Sequence, residues 1–522
     1  MTNDSVNRRG LLKKVAWAAA AATGTAALGA EAFLLLKRRS MDDLYGPYPE
    51  RSALKPLRLV DAKAEKPNVI VIYTDDLGYG DLGCYGSKSI RTPHIDRLAK
   101  AGMRFSDYYA CSGVCSPSRA GLLTGRYPFR SGMTGNPYPA DEALGRVLLR
   151  NLGGQMSALG TMDLHEGYAT SGLSDKELCI AAGLKVAGYR TAMVGKWHLG
   201  DFGKQPEFHP LRFGFDSYYG VPHASGMRPC PLYRNETKLK DDILDVLGDL
   251  TGLYTAEAIK FIESAKDQPF FLYLAHTFPH QPLAASANFA GKSKGGKYGD
   301  TVEEIDWSVG QIVDALDRAG VSDNTLVIFT SDNGPWFEGS AGNLRGGKGQ
   351  SMDGGFKVPC IAKWPKRIKA GSESSELVTN LDLFPTLLHL AGVANPSDRI
   401  IDGKDIAGVL TGSAPKSPTD AFFFYHYDEL QAVRVGNWKY IRKTNLYMWP
   451  IPLDAEVFTA KFGANQLGSD RLPLLYDLTL DPGEKYNVLA AYPEIGAKMD
   501  HLMRTWETQN KKNPRGFAAL AV

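Results

Sequence analysis

The stretch "NVIVIYTDD", residues 68–76, is a run of β-branched and aromatic residues, Val69 to Tyr73, that stops on two acids, Asp75 and Asp76. A strand with one wet face alternates apolar and polar side chains; this run does not, which suits a strand covered on both sides. Three further segments share its form. "YRTAMVGKWH" (189–198) ends in Lys196 and His198, "PFFLYLAHTFPH" (269–280) in His276 and His280, and "TLVIFTSDNG" (325–334) in Asp332 and Asn333. Between them lie segments with helical spacing: "TPHIDRLAKAG" (92–102), "LCIAAGLKVAGY" (178–189), "LYTAEAIKFIESAK" (253–266) and "TVEEIDWSVGQIVDALDRAG" (301–320). Strand and helix in alternation predict an α/β domain, with a large, mixed but mostly parallel sheet sandwiched by helices. Ligands in such folds bind outside the carboxyl ends of the strands, so all four polar endings are expected to meet in one place.

From about Asp420 the texture changes. "AFFFYHY" (421–427), "QAVRVGNWKYIRK" (431–443) and "LPLLYDL" (472–478) read as strands separated by polar turns, with Pro482 and Gly483 supplying one turn and "YPEIGAKMDHLMRTWETQNKK" (492–512) a last helix. The expected division is a leader at 1–40, a main domain at 41–419 and a smaller α+β subdomain with an antiparallel sheet at 420–522. The Gly-rich, weakly periodic segment 136–175 reads as a loop insertion near the site mouth.

The net charge of +3 is concentrated at one end. Residues 1–40 hold seven Lys or Arg against Asp4 and Glu31, a net of +5, which leaves the rest near −2. That balance offers no basic stripe for a nucleic acid, and no such partner is expected. Arg8 and Arg9, followed by "GLLKK" and the apolar run from Val15, look like a twin-arginine export signal, with "AEA" (30–32) as a cleavage site. The run Val15–Leu36 is 22 residues, long enough to stay as a membrane anchor, and "KRRS" (37–40) after it is awkward for a cleaved signal. The chain is thus expected to be bacterial and exported to the periplasm or beyond, with the leader either cleaved or retained. Six cysteines in a chain of this size do not make a disulfide scaffold, although Cys111 and Cys115 are free to pair with each other or elsewhere.

Asp75, Asp76, Asp332 and Asn333 offer only oxygen, the ligand choice of a hard cation such as Ca²⁺ or Mg²⁺. Three converging carboxylates repel one another, and a divalent ion relieves that repulsion. "CSPSRAGLLTGR" (115–126) places Ser116 as an N-cap before Pro117, so Cys115 is expected at a helix start, where free N–H groups favour an anion. Arg119, Lys196 and Lys348 add positive charge. A cation, several fixed cations and a helix N-terminus together suit a tetrahedral oxyanion and its transfer. "GNLRGGKG" (342–349) resembles a phosphate-cradling loop, but Gly349 stands where Ser or Thr is required, so a nucleotide site is rejected. Trp197, Trp307 and Trp364 are read as packing, and His276 as a structural histidine.

These motifs, in order, resemble the type I sulfatases of the alkaline phosphatase superfamily, in which the Cys of a CxPxR signature is oxidised to formylglycine. The resemblance runs through the acid pair 75–76, the Cys115 segment, "GKWHLG" (195–200), the His of "HQPL" (280–283), "SDNG" (331–334), "GGKG" (346–349) and "LYDLTLDPGE" (475–484). The pattern is closest to the arylsulfatase A and N-acetylgalactosamine-6-sulfatase members. It implies an alkaline-phosphatase-like fold and hydrolysis of aryl or carbohydrate sulfate esters. Asp75, Asp76, Asp332 and Asn333 would hold Ca²⁺, with residue 115 as a further ligand. Arg119 and His198 would hold and activate the hydrated aldehyde; Lys196, Lys348 and His280 would contact sulfate, His280 also serving the leaving oxygen as proton donor. A formylglycine-generating enzyme is the implied maturation partner. Two features depart from the arylsulfatase A pattern: Ala224 in "GVPHASG" (220–226) stands where that member has a Ser, beside His223 and Ser225, and no His lies between Tyr427 and Asp500 to match its C-terminal-domain His near the substrate. Both bear on the leaving group. A phosphonate monoester or phosphodiester hydrolase of the same superfamily, or a binding protein in which Cys115 stays a thiol, are the alternatives.

Overall fold

The run Asn68–Thr74 is a strand, β1, and every one of its residues is buried. In the computed structural model, which describes residues 45–139, 172–444 and 472–520, it lies inside a ten-stranded sheet. The other strands of that sheet are β2 (Met103–Phe105), β4 (Arg190–Lys196), β5 (Ser217–Val221), β6 (Leu232–Arg234), β7 (Thr237–Lys240), β8 (Phe270–Ala275), β9 (Thr325–Ser331), β10 (Cys360–Lys363) and β11 (Ser372–Ser374). Two short strands, β3 (Tyr108–Tyr109) and β12 (Val378–Thr379), pair with each other outside it. The order is β11-β2-β10-β9-β1-β8-β4-β5-β6-β7. The five central strands, β9 to β5 in that order, are parallel, and the antiparallel pairings begin at β10 on one side and β6 on the other. The sheet is therefore mixed and mostly parallel at its centre, as expected.

Strand geometry explains why β1 reads as continuously apolar. Alternate side chains leave on opposite faces, and both faces are covered. Val69, Val71 and Tyr73 join one core with Leu122 and Leu123 of the helix Cys115–Thr124, Leu184 of the helix Ile180–Val186 and Phe384 of the helix Leu383–Leu390. Ile70 and Ile72 join the other with Leu98 of the helix Pro93–Lys100, Ile262 of the helix Leu250–Ala265 and Val309 of the helix Gly296–Arg318. That last helix starts before the amphipathic pattern that predicted it. Trp197 and Trp364 are fully buried packing residues. Gly195, at φ +111°, is needed for the sheet to close, since a Cβ there would stand 1.8 Å from the Ala275 carbonyl oxygen.

A separate antiparallel sheet, in the order β13-β14-β15-β16, is built from β13 (Ala421–His426), β14 (Glu429–Val435), β15 (Trp438–Ile441) and β16 (Leu474–Asp477). The helix Pro493–Lys512 packs on it. The joint is aromatic: Phe422, Phe424 and Tyr440 share a third core with Tyr109, Tyr127 and Phe356 of the larger unit. The leader at 1–40 and residues 140–171 of the insertion lie outside the described residues, as do 445–471. No described helix is long and apolar enough to cross a membrane.

Candidate active site

The carboxyl ends of the parallel strands converge as the sequence suggested. Backbone bonds stitch the endings together: Asp75 N–H donates to the Phe278 carbonyl, His276 N–H to Tyr73, Asp332 N–H to Thr74, and His198 N–H to Pro222. Asp76 and His198 hold positive φ angles of 66° and 57°, unfavourable for side chains with a Cβ and tolerated where surrounding structure dictates the turn.

Cys115 is the first residue of its helix, although not by the capping expected. Val114 is the N-cap, no side chain caps the helix, and Ser116 lies inside the first turn with its hydroxyl buried and unpartnered among the described residues. The Ser116 N–H donates instead to Asn136 Oδ1 at 3.0 Å, at the start of the insertion. Pro117, which has no N–H to lose, fits in that first turn just as well, so the local sequence did not fix the register.

The Cys115 Sγ lies 3.3 Å from Asp75 Oδ1 and 3.3 Å from Lys348 Nζ. Burial, reinforced by the Asp75 charge, pushes this thiol up, so it stays protonated and is a poor nucleophile as it stands. Lys196 Nζ reaches Asp75 Oδ2 at 2.5 Å, and Lys348 Nζ reaches Asp76 Oδ2 at 2.7 Å. The Arg119 guanidinium, fully buried beneath them, donates to Asp332 Oδ2 at 2.8 Å and to the Lys196 carbonyl at 3.1 Å, and lies 3.5 Å from Asp75 Oδ1. Asn333 Nδ2 donates to Asp76 Oδ1 at 2.8 Å.

The three carboxylates do not share their burden equally. Burial works to raise Asp75, but the Lys196, His280 and Arg119 charges outweigh it and hold it well below the ordinary range. Burial and the Asp75 charge push Asp332 up to about 7, against the pull of Arg119. Acceptors that crowd one another in this way fit a divalent cation: one oxygen from each of Asp75, Asp76 and Asp332 lies within 4.8 Å of the others. Asn333 Oδ1 is a further sign, being a buried amide oxygen with no hydrogen-bond partner among the described residues. A metal is the kind of group that would satisfy it.

Two histidines flank this floor. His198 is fully buried, and neither ring nitrogen has a partner among the described residues; burial, with Lys196 and Arg119 nearby, holds it well below its ordinary value and therefore neutral. His280, with 20% of its side chain exposed, faces the opening, its Nε2 3.8 Å from Asp76 Oδ2. The Gln281 carbonyl takes its Nδ1–H at 2.5 Å, which leaves Nε2 as the nitrogen that exchanges protons. His276 stands apart, fully buried with Nε2 3.5 Å from Ser308 Oγ and held down to about 3 by burial, which fits its structural reading.

Two further neighbours, Asp201 and Asn380, are not announced by the motifs. His223, beside Ala224, is buried with its Nε2 3.6 Å from Asp201 Oδ1, and Asp201 directly follows the "GKWHLG" motif, the one local signal that points to the pair. Asn380 carries no signal: its amide donates to Ser118 Oγ at 2.9 Å and its Oδ1 accepts the Cys111 N–H at 2.9 Å, bracing the Cys115 helix from the short 3-10 turn Asn380–Asp382, far along the chain. All six cysteines are free, so Cys111 and Cys115 do not pair.

The chain matches the sulfatase family over residues 67–393 and the C-terminal region of aryl-sulfatases over 417–519. It is 37% identical to the N-acetylgalactosamine-6-sulfatase of Canis lupus familiaris, covering 82% of this chain and 83% of the relative. Human arylsulfatase A is 37% identical over 85% of this chain and 88% of its own length. Among solved structures, Ps i-CgsB in complex with a neocarrahexaose superposes with a TM-score of 0.69 at 30% identity, over 87% of this chain and 95% of that one. A match over most of the described residues, to relatives whose shared chemistry is the removal of sulfate, places the chain in the sulfatase family as a sulfuric ester hydrolase.

Proposed function

We propose that the protein removes sulfate from a carbohydrate or aryl sulfate ester, using formylglycine made from Cys115 and a Ca²⁺ ion, Mg²⁺ being the other hard cation the site would accept. The observation that carries this reading is the Cys115 thiol itself: buried, protonated, at a helix start and touching both Asp75 and Lys348. An unmodified thiol there has little chemistry to offer, whereas a hydrated aldehyde would supply an activated hydroxyl in the same surroundings. Its Sγ stands in for the oxygens of the modified side chain.

Asp75, Asp76, Asp332 and Asn333 would hold the cation, with residue 115 as a further ligand; the ion would supply a positive centre for the negative charge of the sulfate. Lys196 and Lys348 orient sulfate oxygens and oppose the charge that develops on them. Arg119 and the neutral His198 would hold the modified residue 115, His198 as the acceptor of its proton. His280, part-exposed, would give a proton from Nε2 to the departing oxygen in its doubly protonated form, which burial and Lys348 oppose and Asp75 and Asp76 favour, while its fixed Nδ1–H keeps the ring aligned. The leaving group would be a sugar or an aryl alcohol. A carbohydrate is favoured by the neighbour solved with a neocarrahexaose, and Ala224 and His223 would give this chain its own contacts there.

The leader would take the chain through the twin-arginine pathway to the periplasm or outside, as a cleaved signal or an anchor, after a formylglycine-generating enzyme has acted in the cytoplasm. Free cysteines suit folding before export. Division of the chain at 419/420 is part of the same reading. Mass spectrometry of the peptide spanning Cys115, purified from its own host, is expected to show the aldehyde or its hydrate; thiol alone in an active preparation sinks the mechanism. A panel of sulfated sugars, an aryl sulfate and an aryl phosphonate assayed side by side is expected to favour a sulfate ester. Preference for the phosphonate overturns the substrate class.

A further inference from the structure

Lys348 is borne by the long loop between β9 and β10, and residues of the smaller subdomain grip that loop on both sides of it. Before it, Arg345 donates to the Glu484 carbonyl at 2.8 Å and to the Tyr476 hydroxyl at 3.2 Å. After it, the Ser351 hydroxyl donates to Gln431 Oε1 at 2.5 Å, and the Asp353 N–H to Glu484 Oε2 at 2.7 Å. The loop is closed at its neck by Gly354 N–H on the Arg345 carbonyl at 2.7 Å. Only glycine fits that neck, because a Cβ on Gly354 would lie 2.4 Å from the Gly346 carbonyl oxygen. Beyond the neck, Gly349 N–H donates to the Gly113 carbonyl at 2.8 Å, tying the loop to the approach to Cys115.

At the centre of the grip is Lys439 of β15. It is fully buried, 2.8 Å from Asp353 Oδ1, 2.7 Å from Glu484 Oε1, and 4.0 Å above the Phe424 ring. Asp353 also accepts the Tyr109 hydroxyl at 2.6 Å, and Tyr109 in turn accepts from Arg434. One lysine therefore joins the root of the loop to the turn that holds its other end. A surface lysine would do this weakly; a buried one between two carboxylates has no competing water and a single arrangement.

We propose that Lys439 is a positioning residue for the reaction: with Glu484, Asp353 and the Ser351–Gln431 bond, it fixes Lys348 over residue 115, so that the smaller sheet sets the sulfate contact without touching substrate. The proposal rests on Lys348 contacting sulfate.

The test is a double-mutant cycle of Lys439→Met and Lys348→Ala in the mature full-length enzyme, reading kcat/KM for a sulfate ester and the inhibition constant of inorganic sulfate. Lys439→Met is expected to lower kcat/KM by about 10- to 100-fold and weaken sulfate inhibition with Lys348 present, and to change both less than about 2-fold once Lys348 is gone. Equal losses in both backgrounds, or none in either, overturn the proposal. Should Lys439→Met fail to fold, Ser351→Ala serves in the same cycle, with an expected loss of about 3- to 10-fold that also vanishes without Lys348. A Lys348→Ala enzyme with unchanged kcat/KM and sulfate inhibition removes the sulfate reading of Lys348 itself. An additive cycle with an impaired Lys348→Ala removes only the grip.

Discussion

Two clusters of buried charge lie near each other in this protein and differ in what they leave unpaired. Around Cys115, Asp75, Asp76 and Asp332 meet Arg119, Lys196 and Lys348, yet both nitrogens of His198 and the Asn333 Oδ1 find no partner among the described residues. Around Lys439, Asp353 and Glu484 close on a single cation, and Tyr109, Arg434 and backbone groups take up the carboxylate oxygens and hydroxyl nearby. Burial and charge alone do not distinguish them. The first leaves groups with no partner of any kind, capacity for something that arrives, whereas in the second even Glu484 Oε1, which makes no hydrogen bond among the described residues, faces the Lys439 charge at 2.7 Å.

That contrast is open to breakage. Cys115→Ala is expected to lower turnover by about 10⁴-fold or more while leaving the thermal midpoint within about 2 °C, because nothing structural depends on the thiol; a large drop in midpoint would erase the distinction. Lys439→Met should, besides its loss of turnover, cost about 3–5 kcal/mol of stability in urea unfolding, because two carboxylates are left buried without their cation. A loss below about 1 kcal/mol would show that the second cluster is not self-sufficient. Asp332→Asn is expected to remove most of the stabilisation that Ca²⁺ confers, about 2.7 kcal/mol at a hundredfold excess over its dissociation constant in the parent enzyme, on top of what the chelated state loses with the buried Arg119 pair. If calcium stabilises parent and variant alike, the ion is bound elsewhere.

The smallest effect concerns pH. Burial pushes Glu484 up to about 7 even though Lys439 pulls it down, whereas Asp353, also buried, is held below its ordinary value chiefly by Lys439. Between the ordinary glutamate range and about pH 7, the folded chain keeps a proton on Glu484 that the unfolded chain has lost. Stability from this group is therefore full in acid and declines as pH rises through that window. The Asp353 contribution runs the other way and is lost only in stronger acid. Glu484→Gln should flatten the slope of stability between about pH 5 and 7, by roughly 2 kcal/mol over the range. An unchanged slope would mean that Glu484 is ionised throughout.

The cluster around Cys115 is legible in the sequence because its parts are local. Each of Asp75, Asp76, Lys196, His198, His280, Asp332 and Asn333 directly follows or closes an apolar run, and a parallel sheet brings such endings to one edge whatever the intervening sequence. Cys115 was placed at a helix start, but its cap was misjudged, since Ser116 and Val114 compete for that position and only packing against the Asn136 segment decides. The second cluster was invisible. Lys439 reads as one charge inside "NWKYI", and its partners lie far away in sequence, so no period or motif announces them. Asn380 is unannounced for the same reason, whereas Asp201, directly after "GKWHLG", is within reach of local reading. Local pattern shows which strands exist, and long-range pairing decides which charges meet.

The aromatic joint between the two sheets bears on how the chain can be cut. Phe422, Phe424 and Tyr440 cover Tyr109, Tyr127 and Phe356, and the Phe423 ring stacks on Trp506 at 4.2 Å. A chain ended before Ala421 would bare those rings to water, at about 150–250 Å² for each aromatic side chain. Such a fragment would be a sticky remnant rather than a minimal enzyme, and trimming this protein for use is better begun in its surface loops.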